Sequence, residues 1–251
     1  MDITTVGSIK NVGEDTAKVM NGNAVVWSGV TAPGPKNLIG GNLQAGFYGE
    51  CSTSEFITGD ELARMIGLTA GISQFSTEPW LKFSYLGKVE FVAKKPYRHS
   101  ISWDSINAVN AVFGNRTVEI KGKTYKVRLM KGKTEGKQDD TSAKEGDICK
   151  GSEWNKLMLP IHKNAPSNWR YPKNVNSPTE NWNVGYTDDD LIMDSDNWIK
   201  GKGALSWCQE FGENTNYRFY RGLHGVSNSS NNLPSNARDY YGWRPVLELV
   251  D

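Results

Sequence analysis

The sequence predicts a mixed α+β domain made of short helices, β-hairpins and long irregular loops, preceded by an N-terminal β-hairpin. Two observations point to this class. Glycine-containing turns separate short apolar runs, and capping residues precede short amphipathic segments. The chain also combines 26 glycines and nine tryptophans with 23% charged residues. Large aromatic side chains in a polar, glycine-rich chain indicate irregular structure that is fixed by a few big residues.

Three segments are expected along the chain: an attachment hairpin at residues 1–30, a linker at residues 31–46 and the main domain at residues 47–251. In the first segment, Asn21-Gly22 between apolar runs is a strong hairpin signal. A two-stranded hairpin is not stable alone, so this one is expected to pack on another surface. Prolines and glycines make the second segment an extended connection.

Capping residues predict three short helices in the main domain. The first follows Thr58 and ends at Gly67, the second follows Ser102 and continues to Phe113, and the third follows Ser152. Two further hairpins are expected between these helices. They pair Trp80–Leu86 with Val89–Lys95 across Gly87-Lys88, and residues 117–120 with residues 123–130 across Lys121-Gly122-Lys123.

The segment Tyr241–Val250 is predicted to be the closing strand of the domain. Pro245 cannot donate to a strand ladder, so this strand should lie at an edge or carry a bulge. Arg244 is expected to bridge buried carbonyls or a carboxylate. The tryptophans divide into two groups by their place in the predicted elements. Trp103, Trp154, Trp207 and Trp243 are expected in the core, whereas Trp169, Trp182 and Trp198 are candidates for exposed contacts.

Charge and hydropathy exclude several classes of partner. The net charge is +1, and the 29 basic and 28 acidic residues are spread along the chain, so nucleic acid is not an expected partner. No apolar run reaches the roughly 18 residues of a membrane span, so membrane insertion is not expected. The N-terminus lacks the apolar core of a secretory signal, which predicts synthesis and folding in a cytosol.

The cysteines and histidines show no metal-binding spacing, so no cofactor is expected from them. Cys51, Cys149 and Cys208 form no CxxC pair and are expected to be buried thiols. His99, His162 and His224 lie far apart and match no zinc-binding pattern, which favours surface or hydrogen-bonded core histidines.

Carboxylates between residues 188 and 196 have two interpretations. Asp194 and Asp196 are weak calcium candidates, because calcium prefers closely spaced oxygen ligands. Thr187 followed by Asp188, Asp189 and Asp190 instead indicates a capped first helical turn, where carboxylates favour the helix dipole. The sequence favours the cap and leaves calcium open.

The order of several motifs resembles a known branch of the C-type lectin fold. These motifs are SWDSINAVNAVFG, YKVRLM, GSEWNKLM, YRFYRGLHGVS and ARDYYGWRPVL. Together they resemble, in outline over residues 100–250, the formylglycine-generating-enzyme branch of that fold. The resemblance implies a C-type-lectin-like domain.

A second resemblance covers nearly the whole chain. The words GFYGE, TSEFITGDELA, GSEWN, SWCQE and GWRPVLE are similar to those of virion structural proteins from phages of Gram-positive bacteria. This resemblance implies a virion component made in the host cytoplasm, associated with a tail, fibre or baseplate and active in host attachment. It also implies contact with other virion proteins through the N-terminal hairpin, and a homo-oligomer with a trimer among the expected symmetries. Decoration of the head or neck is the alternative role.

Catalysis is the remote alternative that the first resemblance raises. Enzymes of that branch oxidise a cysteine through a copper-binding cysteine pair near their terminal strand. The corresponding strand here, Trp243–Val246, has no cysteine, and Cys208 lies on an earlier element. A copper-dependent cysteine oxidase would need Cys208 to pair with Cys149, so a non-enzyme is the expectation.

The segment NSSNNLPSN, residues 228–236, is the predicted binding region. In the phage tips that the chain resembles, this position faces outward. Asparagine and serine offer adaptable hydrogen bonds, and tyrosine and tryptophan offer rigid contact area, for a host-surface glycan or protein. The alternative is a solvent loop held by asparagine turns. The candidate ligand-binding residues are Trp198, Tyr220, Asn228, Asn231, Asn232, Arg238 and Tyr240.

Overall fold

A computed structural model describes most of the chain, with the N-terminal hairpin described by its backbone. The described ranges are 17–20, 23–26, 31–133, 151–163, 180–192, 202–212, 216–222 and 225–250. Predictions on eight residues lie outside these ranges, namely Asn21, Gly22, Cys149, Trp169, Asp194, Asp196, Trp198 and His224.

The described elements are mainly strands with a few short helices. The strands are β1 (Ala17–Met20), β2 (Asn23–Val26), β3 (Gly40–Gly41), β4 (Ala45–Cys51), β5 (Ile72–Ser73), β6 (Trp80–Tyr85), β7 (Lys88–Ala93), β8 (Arg98–His99), β9 (Phe113–Ile120), β10 (Lys123–Arg128), β11 (Leu205–Phe211), β12 (Arg218–Arg221), β13 (Ser229–Asn232), β14 (Tyr241–Trp243) and β15 (Val246–Leu249). The helices are α1 (Gly59–Ile66), α2 (Trp103–Ala108), α3 (Glu153–Leu157) and α4 (Asp188–Leu191). This mixture confirms the predicted α+β class.

Two sheets organise the main domain. The seven-stranded sheet has the order β3-β4-β6-β7-β15-β10-β9, and its neighbouring strands are all antiparallel. The six-stranded sheet has the order β13-β12-β11-β14-β8-β5, in which β11 and β14 are parallel and the other pairs are antiparallel. β13 therefore forms one edge of the second sheet.

Apolar clusters cover both faces of the seven-stranded sheet. Along β7, Val89 and Phe91 belong to the first cluster and Val92 to the second, as strand alternation requires. The first cluster also contains side chains from α1, α2 and the six-stranded sheet. The second contains side chains from α3 and α4. The six-stranded sheet is thus joined to the first face through a shared core.

The tryptophans predicted to be core residues are buried. Trp103, Trp154, Trp207 and Trp243 are at most 3% exposed, and the indole N–H groups of the first three donate to backbone carbonyls. The prediction that Trp182 makes exposed contacts is wrong. Its side chain is 8% exposed and lies in the second cluster, packed close to the backbone at Gly40, which no larger residue would allow.

The caps predicted for α1 and α3 are confirmed. The Thr58 hydroxyl accepts the Glu61 N–H at 3.2 Å, and Gly67 ends α1 in the left-handed region with a φ of 75°. The Ser152 hydroxyl accepts the Asn155 N–H at 3.2 Å at the start of α3. Within the described ranges, no helix is long and apolar enough to cross a membrane.

The second predicted helix is shorter than the sequence indicates. It begins after Ser102, whose hydroxyl accepts the Ser105 N–H, but it ends at Ala108. Asn110 adopts a left-handed conformation with a φ of 60°, which turns the chain out of the helix. Phe113 starts β9 and is 52% exposed. The prediction that Phe113 lies on the buried face of this helix is therefore wrong.

Tight turns connect the two predicted hairpins of the seven-stranded sheet. Leu86 and Gly87 have φ values of 48° and 78°, and Lys121 and Gly122 have φ values of 49° and 74°. Two consecutive positive φ values define a type I′ turn, whose twist matches that of the paired strands. Both hairpins are confirmed, although the first turn lies one residue earlier than predicted.

The predicted closing strand is divided between the two sheets. β14 lies between β11 and β8 in one sheet, and β15 lies between β7 and β10 in the other. Pro245 occupies the crossing, and its carbonyl accepts the Ala93 N–H at 3.0 Å. The prediction of one strand at an edge or bulge is therefore wrong. Proline is accommodated because the crossing requires no ladder N–H at that position.

The segment predicted as a linker contributes both a strand and a core contact. β3 pairs with β4, and Ala32 is fully buried in the first cluster. We call residues 31–36 the strap. The Lys82 ammonium donates to the Pro35 carbonyl at 2.6 Å and thereby ties the strap to β6.

The N-terminal segment forms the predicted pair of strands. The register of β1 and β2 runs from Ala17 opposite Val26 to Met20 opposite Asn23. The predicted Asn21-Gly22 turn between them lies outside the described residues. The expected packing of this hairpin on a partner stays a prediction.

Candidate functional site

The predicted binding region forms the edge of the six-stranded sheet. β13 pairs with β12, which places Ser230 opposite Tyr220 and Asn231 opposite Phe219. Within the described ranges, β12 is the one strand that pairs with β13. The sequence predicted an irregular loop here, which is wrong for β13 itself, because polar side chains give no apolar alternation to reveal a strand. We call β13 and residues 233–240 the β13 surface.

Four of the predicted binding residues lie on the β13 surface. Asn231, Asn232 and Tyr240 are partly exposed, and Arg238 is exposed. Asn231 packs against Gly212, and a side chain at position 212 would clash with it. The structure therefore brings these four residues to one end of the sheet.

Two other predicted residues do not reach the surface. Tyr220 is 6% exposed, because its ring faces Trp207 and Tyr241 in the core. Asn228 is 7% exposed, and its backbone carbonyl accepts the Gly222 N–H at 3.0 Å. The prediction that Tyr220 and Asn228 contact a ligand is therefore wrong, and both residues support the surface from the interior. Trp198, the remaining candidate, lies outside the described residues.

A rigid aromatic cluster supports the β13 surface. The Tyr241 ring stacks on Trp207 with centroids 4.5 Å apart and planes 9° apart. Tyr220 meets Tyr241 edge-on at 5.8 Å, and Tyr240 lies 4.8 Å from Tyr241. The Trp207 indole N–H donates to the Ile101 carbonyl at 2.9 Å. The cluster is therefore anchored deep in the domain.

Hydrogen bonds tie the loop of the β13 surface to this cluster. The side-chain amides of Asn232 and Asn236 donate to the Tyr241 hydroxyl at 2.6 and 3.5 Å. The Arg238 guanidinium donates to the Tyr240 hydroxyl at 3.2 Å. Burial raises the pKa of Tyr241, and the neighbouring tyrosines raise it further. The Tyr241 hydroxyl is therefore protonated at neutral pH.

Sequence reasoning missed Arg218, which stands beside this surface. Its guanidinium lies 4.3 Å from the ring centroids of both Trp103 and Phe211. Arg218 also pairs with Asn232 across the ladder. Burial lowers the pKa of Arg218, and a nearby carboxylate opposes that effect. Alternation along residues 217–221 could have predicted the face of the strand on which Arg218 lies, but only if β12 had been recognised as a strand.

A buried ion cluster lies in the seven-stranded sheet, away from the β13 surface. The Arg128 guanidinium donates to Glu90 at 2.5 Å, to Glu153 at 2.7 and 3.0 Å and to Glu248 at 3.0 Å. Burial raises the pKa of Glu90 well above its usual range, although Arg128 opposes the rise. Burial also acts to raise the pKa of Glu153, but the charge and hydrogen bonds of Arg128 outweigh it and lower that pKa.

We expect Glu90→Gln to stabilise the protein at alkaline pH. Because folding raises the pKa of Glu90, this carboxyl contributes stability below its ordinary pKa of 4.5 and loses that contribution as the pH rises through the folded value. Glutamine cannot ionise, so the variant should gain about 1 kcal/mol or more relative to the wild type. Urea unfolding at about pH 5 and about pH 9 would measure the difference.

The matched control for that prediction is Glu153→Gln. Because folding lowers the pKa of Glu153, this variant should be less stable than the wild type at both pH values. A Glu90→Gln stability change that is the same at acidic and alkaline pH would contradict the proposed ionisation of Glu90.

Arg244 holds the crossing between the two sheets. It is fully buried and donates to the carbonyls of Ala93 at 3.0 Å, Lys94 at 2.6 Å and Leu191, and to the Ser206 hydroxyl at 3.0 Å. Burial lowers its pKa to about 9. The prediction that Arg244 bridges buried carbonyls is confirmed, and its role is structural.

The acidic segment forms the predicted helix cap. The Thr187 hydroxyl accepts the Asp190 N–H at 3.2 Å, and the Asp190 carboxylate accepts the Thr187 N–H at 2.8 Å, which is a complete capping box. Within the described ranges no three metal-ligating side chains are grouped. The calcium candidates Asp194 and Asp196 lie outside those ranges.

The described cysteines and histidines are buried, as expected of core residues. Cys51 and Cys208 have no exposed surface. His99 is 6% exposed and lies 3.0 Å from the Ser100 hydroxyl, and His162 is 3% exposed and lies 3.6 Å from the Asp188 carboxylate. Burial lowers the pKa of His162 to about 4, so its imidazole is neutral.

Comparison with known proteins gives no relative for this chain. No protein-family model, curated protein or solved structure matches it. Its function is therefore argued from the β13 surface and from the resemblances in its sequence.

Proposed function

We propose that the chain is a non-catalytic bacteriophage virion protein with a C-type-lectin-like domain that attaches the particle to its host through the β13 surface. The sequence resemblance to virion proteins of Gram-positive phages supports the class of protein. The observation that carries the binding role is the exposed loop of the β13 surface, held by hydrogen bonds on a rigid aromatic cluster. A preorganised loop loses little conformational entropy when it binds.

A cell-wall glycan fits this surface better than a protein partner. The Asn231 side chain, the Arg238 guanidinium and the Tyr240 phenol are partly or fully exposed on this surface, and such groups bond readily to sugar oxygens. Leu233, 48% exposed, is the one large apolar side chain exposed on the β13 surface. The centres of protein interfaces are more apolar than this.

Head or neck decoration is the second candidate function. β1 and β2 pair with each other and join neither sheet of the main domain. A hairpin of this size needs a partner surface, which other virion proteins or further copies of the chain in a homo-oligomer would supply. This role needs no ligand at the β13 surface. Substitutions at that surface should therefore weaken attachment but leave decoration unaffected.

The double variant Arg238→Ala/Tyr240→Ala is expected to bind host cell walls at least about tenfold more weakly than the wild type, because two hydrogen-bonding groups are removed. Co-sedimentation of the full chain with walls isolated from a panel of Gram-positive bacteria would measure the binding. Arg64→Ala is the matched control, since Arg64 is an exposed arginine of α1, a helix that contacts β9 of the seven-stranded sheet. Thermal unfolding would verify that both variants fold.

Two outcomes would change this assignment. If the wild type binds none of the walls, or if the double variant binds as well as Arg64→Ala, attachment through the β13 surface is wrong and decoration is favoured. If protease treatment of the walls abolishes binding, the partner is a host protein and the glycan is excluded.

A further inference from the structure

Hydrogen bonds with a fixed direction hold the β13 surface. Two of them come from Asn232 and Asn236, whose side-chain nitrogens donate to the Tyr241 hydroxyl. The orientation of both amides is fixed by the backbone. The Asn232 side-chain oxygen accepts the Leu233 N–H at 2.8 Å, and that of Asn236 accepts the Arg238 N–H at 3.4 Å. Each amide nitrogen must therefore face Tyr241 and can only donate to it.

These bonds leave the Tyr240 hydroxyl with a proton to donate. The Tyr241 oxygen accepts from both amides, and the Tyr240 ring lies against the Tyr241 ring with centroids 4.8 Å apart. The Tyr240 oxygen accepts from the Arg238 guanidinium at 3.2 Å. Because arginine can only donate, the proton of Tyr240 is available for an acceptor outside the protein.

We infer that Arg238 and Tyr240 form a pair of hydrogen-bond donors for an anionic oxygen group, a carboxylate or phosphate, on the polymer that the β13 surface binds. This inference rests on the proposed function and narrows its ligand. Arg238 is exposed, and within the described ranges it forms no ion pair. A charged acceptor makes a stronger bond to a guanidinium and a phenol than a neutral sugar hydroxyl does.

The surrounding charges are compatible with an anionic group at this pair. Asp239 is the neighbouring carboxylate. Its charge acts on the imidazole of His99 in β8, where it opposes the lowering of the pKa that burial and the charge of Lys202 cause. Since the net charge of the chain is +1, long-range attraction is weak, and recognition depends on contact with a single group.

Tyr241 is a positioning residue for this pair. It is 1% exposed, so it cannot touch a polymer, yet its ring packs against Tyr240 and its hydroxyl holds both ends of the turn at residues 232–236. Tyr241→Phe keeps the ring stacked on Trp207 and removes only the hydroxyl. The turn that presents Arg238 and Tyr240 would then lose the bonds from Asn232 and Asn236 that hold it.

Binding of the full chain to three purified polymers tests the inference. The probes are a glycerol-phosphate teichoic acid, a polysaccharide rich in hexuronic acid, and dextran as the uncharged reference. We expect the wild type to bind at least one of the two anionic polymers about tenfold or more tightly than dextran. The first polymer assigns phosphate and the second assigns carboxylate. Dextran binding equal to that of both anionic polymers would overturn the inference.

Three single variants and one control identify the residues involved. Arg238→Gln and Tyr240→Phe should each weaken binding of the anionic polymer about tenfold, and Arg64→Gln should leave it unchanged. Tyr241→Phe should weaken binding by a smaller factor and speed amide exchange of residues 233–238 without changing exchange in the core strands. Unchanged binding by Arg238→Gln would overturn the donor pair, whether or not Tyr241→Phe folds.

Host cell walls separate this inference from the proposed function. Walls stripped of phosphate and uronate polymers should lose binding, whereas intact walls retain it. If stripped walls bind as well as intact ones, the anionic ligand is wrong but attachment stands. If intact walls do not bind at all, the proposed function itself is wrong.

Discussion

Arg128→Met is expected to lower the free energy of unfolding by about 3–5 kcal/mol, the range measured when one partner of a buried ion pair is removed. Arg128, Glu90 and Glu153 are at most 6% exposed, and the guanidinium contacts both carboxylates as well as Glu248. Methionine fills a similar volume but leaves Glu153, whose pKa Arg128 keeps low, without its cation. The charge of Glu153 then lies in the interior beside Glu90, whose pKa burial has already raised.

The loss of stability in Arg128→Met should depend on pH. Without the cation, burial and mutual repulsion should raise the pKa of Glu153 and raise that of Glu90 still further in the folded variant. Carboxyls with raised folded pKa values contribute stability at low pH and lose it as the pH rises through those values. The destabilisation should therefore be largest at neutral and alkaline pH and should shrink toward about pH 4, where the carboxyls are protonated.

Urea unfolding at several pH values would measure this effect, with Lys126→Met as the control. Lys126 is a partly exposed residue on the same strand, β10. If Arg128→Met does not fold, Arg128→Met/Glu90→Gln/Glu153→Gln should recover a folded protein, because it removes the buried charges as well. A loss below about 1 kcal/mol, the level of an exposed pair, would show that the cluster is not an interior ion pair.

The local parts of this fold were predictable from sequence because they depend on neighbouring residues. Thr58 and Gly67 bound α1 through contacts within one helical turn, and the type I′ turns need a glycine only at the turn itself. The crossing at Pro245 was not predictable, because the pairing of Val246 with Val92 brings together strands that are distant in sequence. The early end of α2 at Ala108 was missed because helical periodicity continues past Asn110.

The candidate site was predictable in composition but not in geometry. Arg238 and Tyr240 were expected on the binding surface because they lie in a polar segment before the last strands. The burial of Tyr220 depends on β12 being covered by β13, and β13 has no apolar alternation that would reveal it. The role of Tyr241 depends on hydrogen bonds from Asn232 and Asn236, which only the folded turn brings to its hydroxyl.

Lys82→Met is expected to stabilise the protein by on the order of 3 kcal/mol at neutral pH. Lys82 is fully buried, donates to the Pro35 carbonyl of the strap at 2.6 Å, and lies 5.0 Å from the centroid of the Tyr48 ring. Burial, with the nearby charge of Lys36, lowers its pKa from 10.5 to about 7. The lowered pKa shows that the charged form is disfavoured inside the fold.

The expected gain from Lys82→Met has a defined pH window. Between about pH 7 and pH 10.5 the unfolded chain holds a proton on Lys82 that the folded chain has lost, so wild-type stability rises with pH in this range. Above this window Lys82 is unprotonated in both the folded and the unfolded state. Below it Lys82 is protonated in both states, and the full cost of burying the charge lowers the stability of the wild type. The advantage of methionine should therefore be largest near pH 7 and below, and should vanish near pH 10.5.

Urea unfolding of Lys82→Met and the wild type at about pH 6.5 and about pH 10 would measure that window. Lys126→Met serves as the control, since a partly exposed lysine should give little change at either pH. The variant removes the donor to Pro35, whose hydrogen bond is worth only about 1 kcal/mol net, so the relief of the buried charge should exceed that loss. A Lys82→Met protein less stable than the wild type at pH 6.5 would show instead that the bond to the strap outweighs the cost of burying the ammonium.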